Sequence, residues 1–350
     1  MKAPSPAFSA ISTPVLEIRD LQTYFFTKRG VGKAVDGVSL VLGRGETLGL
    51  VGESGCGKSI TCFSVMRLHP RPASRIVGGQ ILFHGEDLLR LSERQMQSYR
   101  GRDIAMIMQD PMSALNPVFT IGNQLGESLD LLRPRLPRRR VRERAVELLR
   151  LLQVPEPRER LVAFPHQFSG GMRQRVVGAI ALARNPEVII ADEPTTALDV
   201  TVQAAYLALL KDLQRRLNVS IIFVTHDFGV VARMCDRVAV MYAGRVVEVA
   251  TTTAIFERPI HPYSAALFAS VPDVTRHVSR LYAIEGQPPS IYDPPEGCRF
   301  HPRCPLRAKL GNPTRCQTEV PELREAIPGR QVACHFAEES LQGAAPLSTR

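Results

Sequence analysis

The chain has 350 residues, 44% of them hydrophobic, with a net charge of +10, seven cysteines and no tryptophan. That apolar content is enough for a large core and for two domains, yet no run approaches the ~18–20 apolar residues that a membrane-spanning helix needs. The positive charge suits nucleic acid and an anionic membrane surface equally well, and decides between neither.

The first 14 residues are rich in Pro, Ser and Ala and lack a continuous apolar stretch. They read as a disordered tail and not as a signal peptide, so a soluble, cytosolic chain is expected. Strands are predicted at residues 15–18, 22–26 and 38–42, the last ended by the turn Gly43-Arg44-Gly45. Residues 47–51 form an apolar run short enough for a buried strand, and residues 60–68 can continue as a helix. Between them lies Gly52-Glu53-Ser54-Gly55-Cys56-Gly57-Lys58-Ser59, which fills the pattern G-x-x-x-x-G-K-[ST] at every fixed position. Strand, glycine loop and helix is the context this motif requires. A loop poor in Cβ atoms lets consecutive backbone N–H groups close around phosphate oxygens, and the helix N-terminus adds partial positive charge. Lys58 is then expected to reach the terminal phosphates of a nucleotide and Ser59 to hold Mg²⁺. Cys56 reads as a small filler of the loop; the sharper reading is a reactive thiol activated by the helix N-terminus.

Gly78-Gly79 precedes a hairpin-like strand at residues 80–85, and residues 104–108 form an apolar strand that ends at Gln109. From about 116 to 164 the chain is helix-forming with proline breaks. Within it, residues 138–152 place Val141, Ala145, Val146, Leu148, Leu149 and Leu152 at helical spacing. The other face carries Arg138, Arg139, Arg140, Arg142 and Arg144. A solvated face explains that run, and contact with anionic lipid head groups is the alternative. A helix through Ala183 follows Phe168-Ser169-Gly170-Gly171. A strand at 188–193 ends in two acids, a helix spans 200–217, and a strand at 220–224 runs into Thr225-His226-Asp227. Residues 237–241 and 245–249 make a small hairpin. Alternating strands and helices predict an α/β fold with a mostly parallel sheet covered on both faces. Beyond Phe256 the chain turns Pro-rich and Cys-bearing, which reads as a separate appendage, and residues 338–350 read as a loose tail.

Asp192 ends an apolar strand, so its carboxylate belongs at the carboxyl edge of the sheet, where open α/β sheets bind ligands. There it completes the Mg²⁺ shell begun by Ser59. Glu193, next in sequence, is expected to act on the attacking water as general base or positioner.

With these residues in place the chain resembles the nucleotide-binding subunit of an ATP-binding-cassette (ABC) transporter over nearly its whole length. Ser169-Gly170-Gly171-Met172-Arg173-Gln174 resembles the signature L-S-G-G-Q, with Phe168 in place of Leu and Met172 in place of Gln. The resemblance implies a P-loop NTPase core, RecA-like with a mostly parallel sheet, plus an antiparallel β subdomain. It places this ATPase domain at 14–255, an α-helical subdomain at about 110–166, a Cys-rich C-terminal extension at 256–337, and tails at 1–13 and 338–350. It also implies that Gln109 is the Q-loop glutamine that touches Mg²⁺ and the water. Asp199, in Ala197-Leu198-Asp199, is then the D-loop aspartate, and His226 is the switch histidine that contacts the γ-phosphate. Phe25 is the aromatic that stacks on adenine, with Tyr24 and Phe26 as rivals. Two such cassettes pair head to tail, so Ser169, Gly170, Gly171 and Met172 serve the partner's ATP, and the helical insert docks on transmembrane subunits.

Three further stretches resemble the dipeptide/oligopeptide importers, namely residues 110–117, 261–267 and 295–305. The implied function is an ATP-hydrolysing subunit that powers peptide import. Nickel and glutathione importers share much of the pattern. Expected partners are a second cassette, by resemblance a paralogue, two permeases and an extracytoplasmic peptide-binding protein. The expected location is peripheral, on the cytoplasmic face of the inner membrane, with no nucleic acid bound. The rival class is a soluble cassette ATPase acting on DNA or ribosomes; those generally carry paired cassettes, coiled-coil inserts or zinc modules within the fold. Cys298, Cys304, Cys316 and Cys334 follow the spacing C-x₅-C-x₁₁-C-x₁₇-C. Four thiolates can close a tetrahedral metal site or hold a cubane cluster. The paired C-x₂-C knuckles of zinc ribbons are absent. Cys304-Pro305 is similar to the Cys-Pro of bacterial ferredoxin motifs, and the similar tail of peptide-importer cassettes carries a [4Fe-4S] cluster. An iron–sulfur cluster is therefore expected, with zinc or four free thiols as alternatives and His301 and His335 as bystanders.

Overall fold

The computed structural model describes residues 14–131, 136–270 and 283–343. The predicted tail at 1–13 and the last seven residues lie outside the described residues. The chain divides into two compact units, Met1–Leu89 with Thr225–Arg350, and Arg90–Val224.

In the first unit, β1 (Pro14–Thr27) and β2 (Gly30–Gly43) pair as a long antiparallel hairpin. The two short strands expected at 15–18 and 22–26 are one strand. Asp20, at φ +45, sits where the register shifts between Ile18 and Leu21. A bulge of this kind adds a residue and bends the strand without ending the ladder. β3 (Thr47–Val51) is buried at every residue, as its unbroken apolar run requires. It leads to α1 (Lys58–Val65). β4 (Ser74–Phe83) begins earlier than predicted, and with β5 (Glu86–Asp87) it completes an antiparallel sheet of order β2-β1-β4-β5.

The second unit runs α2 (Glu93–Tyr99), β6 (Ile104–Ile107), α3 (Pro111–Ala114), α4 (Ile121–Asp130), α5 (Arg138–Leu151) and α6 (Pro157–Arg160). It continues with α7 (Gly170–Leu182), β7 (Val188–Asp192), α8 (Val200–Leu217) and β8 (Ser220–Val224). β7 lies between β6 and β8, parallel to both, and every residue of β7 and β8 is buried. α5 turns Ala145, Val146, Leu148 and Leu149 inward, packing on α4 and α7. Its basic face is exposed and meets acids of the same helix, Arg139 and Arg140 at Glu143 and Arg144 at Glu147. Such exposed pairs contribute well under about 1 kcal/mol each.

The chain then returns to the first unit with α9 (Phe228–Met234), β9 (Arg237–Tyr242), β10 (Arg245–Thr251), α10 (Thr252–Glu257) and α11 (Pro262–Ala269). After α12 (Pro305–Lys309) and α13 (Arg315–Thr318) come β11 (Arg324–Ile327), β12 (Arg330–Val332) and α14 (Ala337–Gly343). β3 is parallel to β9, and the sheet extends antiparallel through β10, β12 and β11. Residues beyond Phe256 thus share a sheet with the strands before it. The join is buried: Glu248, fully inaccessible, accepts from Arg330 at 2.9 Å and from the backbone of Ile260 and His261. Ile260, Val332 and Ala337 form a small core beside it. α14 occupies the start of the stretch read as a loose tail. Among the described residues no helix is long and apolar enough to cross a membrane.

Candidate nucleotide site

The loop at 52–59 is shaped by two positions that admit no side chain. A Cβ on Gly52 would lie 2.2 Å from the Met241 carbonyl oxygen, and one on Gly57, at φ +106, 2.4 Å from that of Ala34. Gly57 caps α1, and its carbonyl accepts from both the backbone N–H and the hydroxyl of Thr61 at 2.9 Å. Ser54 and Gly55 are exposed and Ser59 is half-buried. The Lys58 ammonium curls back over the loop and donates to the carbonyls of Gly52 at 2.7 Å and Glu53 at 3.1 Å. Cys56 is buried beneath it, its Sγ 3.7 Å from Nζ. Burial raises the Cys56 thiol pKa, and the nearby Lys58 only partly offsets this. This is in keeping with Cys56 as a small filler of the loop: loss of solvent disfavours its thiolate more than the nearby positive charge favours it.

Glu53 is held on two sides. Its carboxylate is gripped by Arg303, Nη1 to Oε2 at 2.8 Å and Nη2 to Oε1 at 3.1 Å. Its backbone N–H donates to the Tyr263 hydroxyl at 2.9 Å. Sequence reasoning missed both partners; the only signal was their place in the stretches 261–267 and 295–305.

Phe25 is half-buried on β1, opposite Gly32 on β2 and Ser74 on β4. Of its rivals, Tyr24 donates its hydroxyl to Asp36, and burial together with that bond pushes its pKa up to about 12. The guanidinium of Arg75 lies 5.4 Å from the Phe26 ring centroid. Asp36 also accepts from Arg245 at 2.9 Å and from Arg299. His226 is exposed between Thr225, whose hydroxyl accepts from the Asp227 N–H, and Asp227, which caps α9.

In the second unit Asp192 is buried at the end of β7. Glu193 follows at φ +46, which costs a residue with a Cβ about 1–2 kcal/mol, and its N–H bonds the Val224 carbonyl at 3.0 Å. Its carboxylate oxygen accepts from Gln109 Nε2 and Thr196 Oγ1, both at 3.1 Å. Gln109 and Glu193, 84 residues apart, are thus brought into contact. Ser169 caps α7, its hydroxyl accepting from the Met172 N–H at 3.4 Å, and Asp199 caps α8 by accepting from Val202 at 3.0 Å. Gly171 lets the two helix starts meet, since a Cβ there would lie 2.4 Å from Val202 Cγ1. A Cβ on Gly170 would lie 3.8 Å from the Ala197 carbonyl.

The chain matches the family described as ABC transporter over residues 35–196 and the oligopeptide/dipeptide transporter C-terminal region over 247–310. It is 49% identical over 326 residues to the probable peptide ABC transporter ATP-binding protein y4tR of Sinorhizobium fredii, covering 93% of this chain and 96% of that one. It is 51% identical to the dipeptide transport ATP-binding protein DppD of Bacillus subtilis, covering 84% and 87% of the two chains. This chain belongs to the ATP-binding proteins of ABC transporters. The dimeric, post-hydrolysis structure of the ATP-binding cassette MJ0796 bound to ADP and Pi superposes with a TM-score of 0.61 at 26% identity, over 68% of this chain and 98% of that one. The ABC ATPase fold is thereby shown for this chain.

The four clustered cysteines of this ABC ATPase are all free. Cys298, Cys304, Cys316 and Cys334 line one small cavity with Phe300 and Phe336. Burial pushes the thiol pKa of Cys298 up to about 11 and that of Cys334 up to about 12. Among the described residues no three His, Cys, Asp or Glu side chains are grouped to hold a metal ion. His301 Nδ1 and His335 Nε2 each lie 3.0 Å from a backbone carbonyl oxygen, those of Cys298 and Glu319.

Proposed function

We propose that this ABC ATPase powers the import of di- or oligopeptides through partner permeases. The observation that carries the reading is the match of residues 247–310 to the oligopeptide/dipeptide transporter C-terminal region. The similarity to a probable peptide ABC transporter ATP-binding protein and to a dipeptide transport ATP-binding protein supports it. The ATPase domain is assigned to 14–255 with the helical subdomain at about 110–166, and the extension to 256–337. The subunit sits on the cytoplasmic face of the membrane. Its partners are a second, paralogous cassette, two transmembrane permeases and an extracytoplasmic peptide-binding protein.

The residue roles follow from the chemistry of each group. Gly52 to Ser59 cradle the phosphates of ATP, and Lys58 exchanges its loop carbonyls for the terminal phosphates. Ser59, Gln109 and Asp192 offer hydroxyl, amide and carboxylate oxygens, a hard donor set that fits Mg²⁺. When bound, Mg²⁺ neutralises charge that develops on the phosphate oxygens. Glu193, oriented by Gln109 and Thr196, accepts a proton from the attacking water or aligns it. His226 contacts the γ-phosphate, and Phe25 stacks on adenine. Ser169, Gly170, Gly171 and Met172, with Asp199 beside them, complete the site of the opposing cassette. ATP closes the pair and hydrolysis reopens it, which requires that ATP bind the closed state more tightly.

Cys298, Cys304, Cys316 and Cys334 are assigned to a [4Fe-4S] cluster, with zinc as the alternative. Their convergence on one cavity supports a shared ligand. The cluster's function is to brace the extension. Protein purified without air that lacks a broad brown absorbance and carries zinc overturns the cluster assignment.

The deciding experiment is co-purification with partner permeases, followed by ATPase assays with peptides, nickel and glutathione. Stimulation by peptide supports the proposal. Stimulation by nickel or glutathione alone moves the solute, and stimulation by DNA without permeases favours the soluble rival.

A further inference from the structure

A phosphate loop works by gathering positive potential, yet this one carries a carboxylate at its second residue, Glu53. Left uncompensated, that charge would oppose the binding of a polyanion. The structure compensates it from 250 residues away. Arg303 meets both carboxylate oxygens, and the Arg303 side chain is only 6% exposed. The guanidinium is not a loose surface partner. Its Nε donates to the Glu285 carbonyl at 2.9 Å, Nη2 to that of Ile284 at 3.3 Å and Nη1 to the Tyr242 hydroxyl at 3.2 Å. A planar fork held at every nitrogen arrives pre-oriented, and lysine cannot reproduce the geometry.

The backbone of Glu53 is held by the same region. Tyr263, fully buried against Tyr242 and Phe300, accepts the Glu53 N–H. The carbonyls of Gly52 and Glu53, between which this N–H lies, are the ones that hold the Lys58 ammonium.

We propose that Arg303 is a positioning residue for the nucleotide: it cancels the charge of Glu53 at the phosphate loop and, with Tyr263, fixes the peptide units that aim Lys58. Nucleotide affinity is then set in part by the C-terminal region. The inference rests on reading Gly52 to Ser59 as the phosphate loop.

The test is equilibrium binding of a fluorescent ATP analogue to the full-length chain, with folding checked by circular dichroism. Arg303→Ala is expected to weaken binding about tenfold, the order for unmasking one unit charge beside a bound polyanion. The penalty shrinks in high salt, because exposed charge is screened. Arg303→Ala combined with Glu53→Gln is expected to recover to within about threefold of the parent, since the unmasked charge is gone. A role in packing alone predicts no such rescue. Wild-type affinity in folded Arg303→Ala overturns the proposal, and so does a double variant as weak as Arg303→Ala. If Arg303→Ala does not fold, Arg303→Gln, which is also neutral, with and without Glu53→Gln decides by the same rescue. Lys58→Ala tests the loop reading separately: undiminished binding there refutes the phosphate loop itself, whatever Arg303 does.

Discussion

Replacing Asp36 by alanine should cost this protein about 4 kcal/mol of stability, more than removing any one of its partners. Asp36 lies on β2 and accepts from Tyr24, Arg245 and Arg299. The Arg299 pair is buried, with side chains 6% and 9% exposed. Burial, and then the neighbouring Arg245, already pulls the Arg299 pKa down to about 10, so this guanidinium is desolvated and depends on its carboxylate. Breaking a buried pair by removing one partner costs about 3–5 kcal/mol. The Arg245 pair, 28% exposed on the arginine side, adds at most about 1 kcal/mol. Arg299→Ala should cost less, about 2 kcal/mol, because Asp36 keeps Arg245 and Tyr24. The assay is urea unfolding followed by circular dichroism, since the chain has no tryptophan to report by fluorescence; stability differences appear as shifts of the midpoint. pH supplies a second readout. Burial opposes ionisation of Asp36, but the Tyr24 hydrogen bond and the two guanidiniums outweigh it and lower its pKa in the folded state. The stabilisation is therefore complete above the unfolded-state pKa of about 3.9 and is lost as pH falls through the lower folded-state value. The gap between parent and Asp36→Ala should close in that acid range. A loss under about 1 kcal/mol at neutral pH, or a gap that persists through the acid range, refutes the reasoning.

Glu193→Gln should retain ATP binding, trap the closed dimer and lower hydrolysis by about 10²–10⁴-fold, measured by phosphate release; full turnover removes Glu193 from the water-activating role. Gly171→Val should destabilise the chain by about 1–3 kcal/mol in thermal unfolding, because its Cβ would collide with Val202. An unchanged melting temperature would mean that the α7 and α8 starts are not in contact. Cys56 should alkylate at least about 100-fold more slowly in the native protein than in denaturant at pH 8, read by peptide mapping, because its thiol is buried with a raised pKa. Rapid native labelling would restore the reactive thiol.

Features written in consecutive residues were legible in the sequence. The strand, glycine loop and helix around Lys58 are local, as are the apolar strand into Asp192 and Glu193 and the helix starts at Ser169 and Asp199. In each, periodicity and capping chemistry act over a few residues, and the structure has the elements where the pattern placed them. The single bulged strand through Asp20 was not legible, because apolar alternation breaks at a bulge although the ladder does not. Tertiary structure alone decided three things. It buried Cys56 and so raised its thiol pKa, since desolvation depends on neighbours from elsewhere in the chain. It gathered four cysteines spread over residues 298–334 onto one cavity. It also set Arg303 and Tyr263 on Glu53, a contact across more than 200 residues. Pairing at such separation leaves no periodic trace, because it is made by strand order and side-chain packing and not by the spacing of residues along the chain.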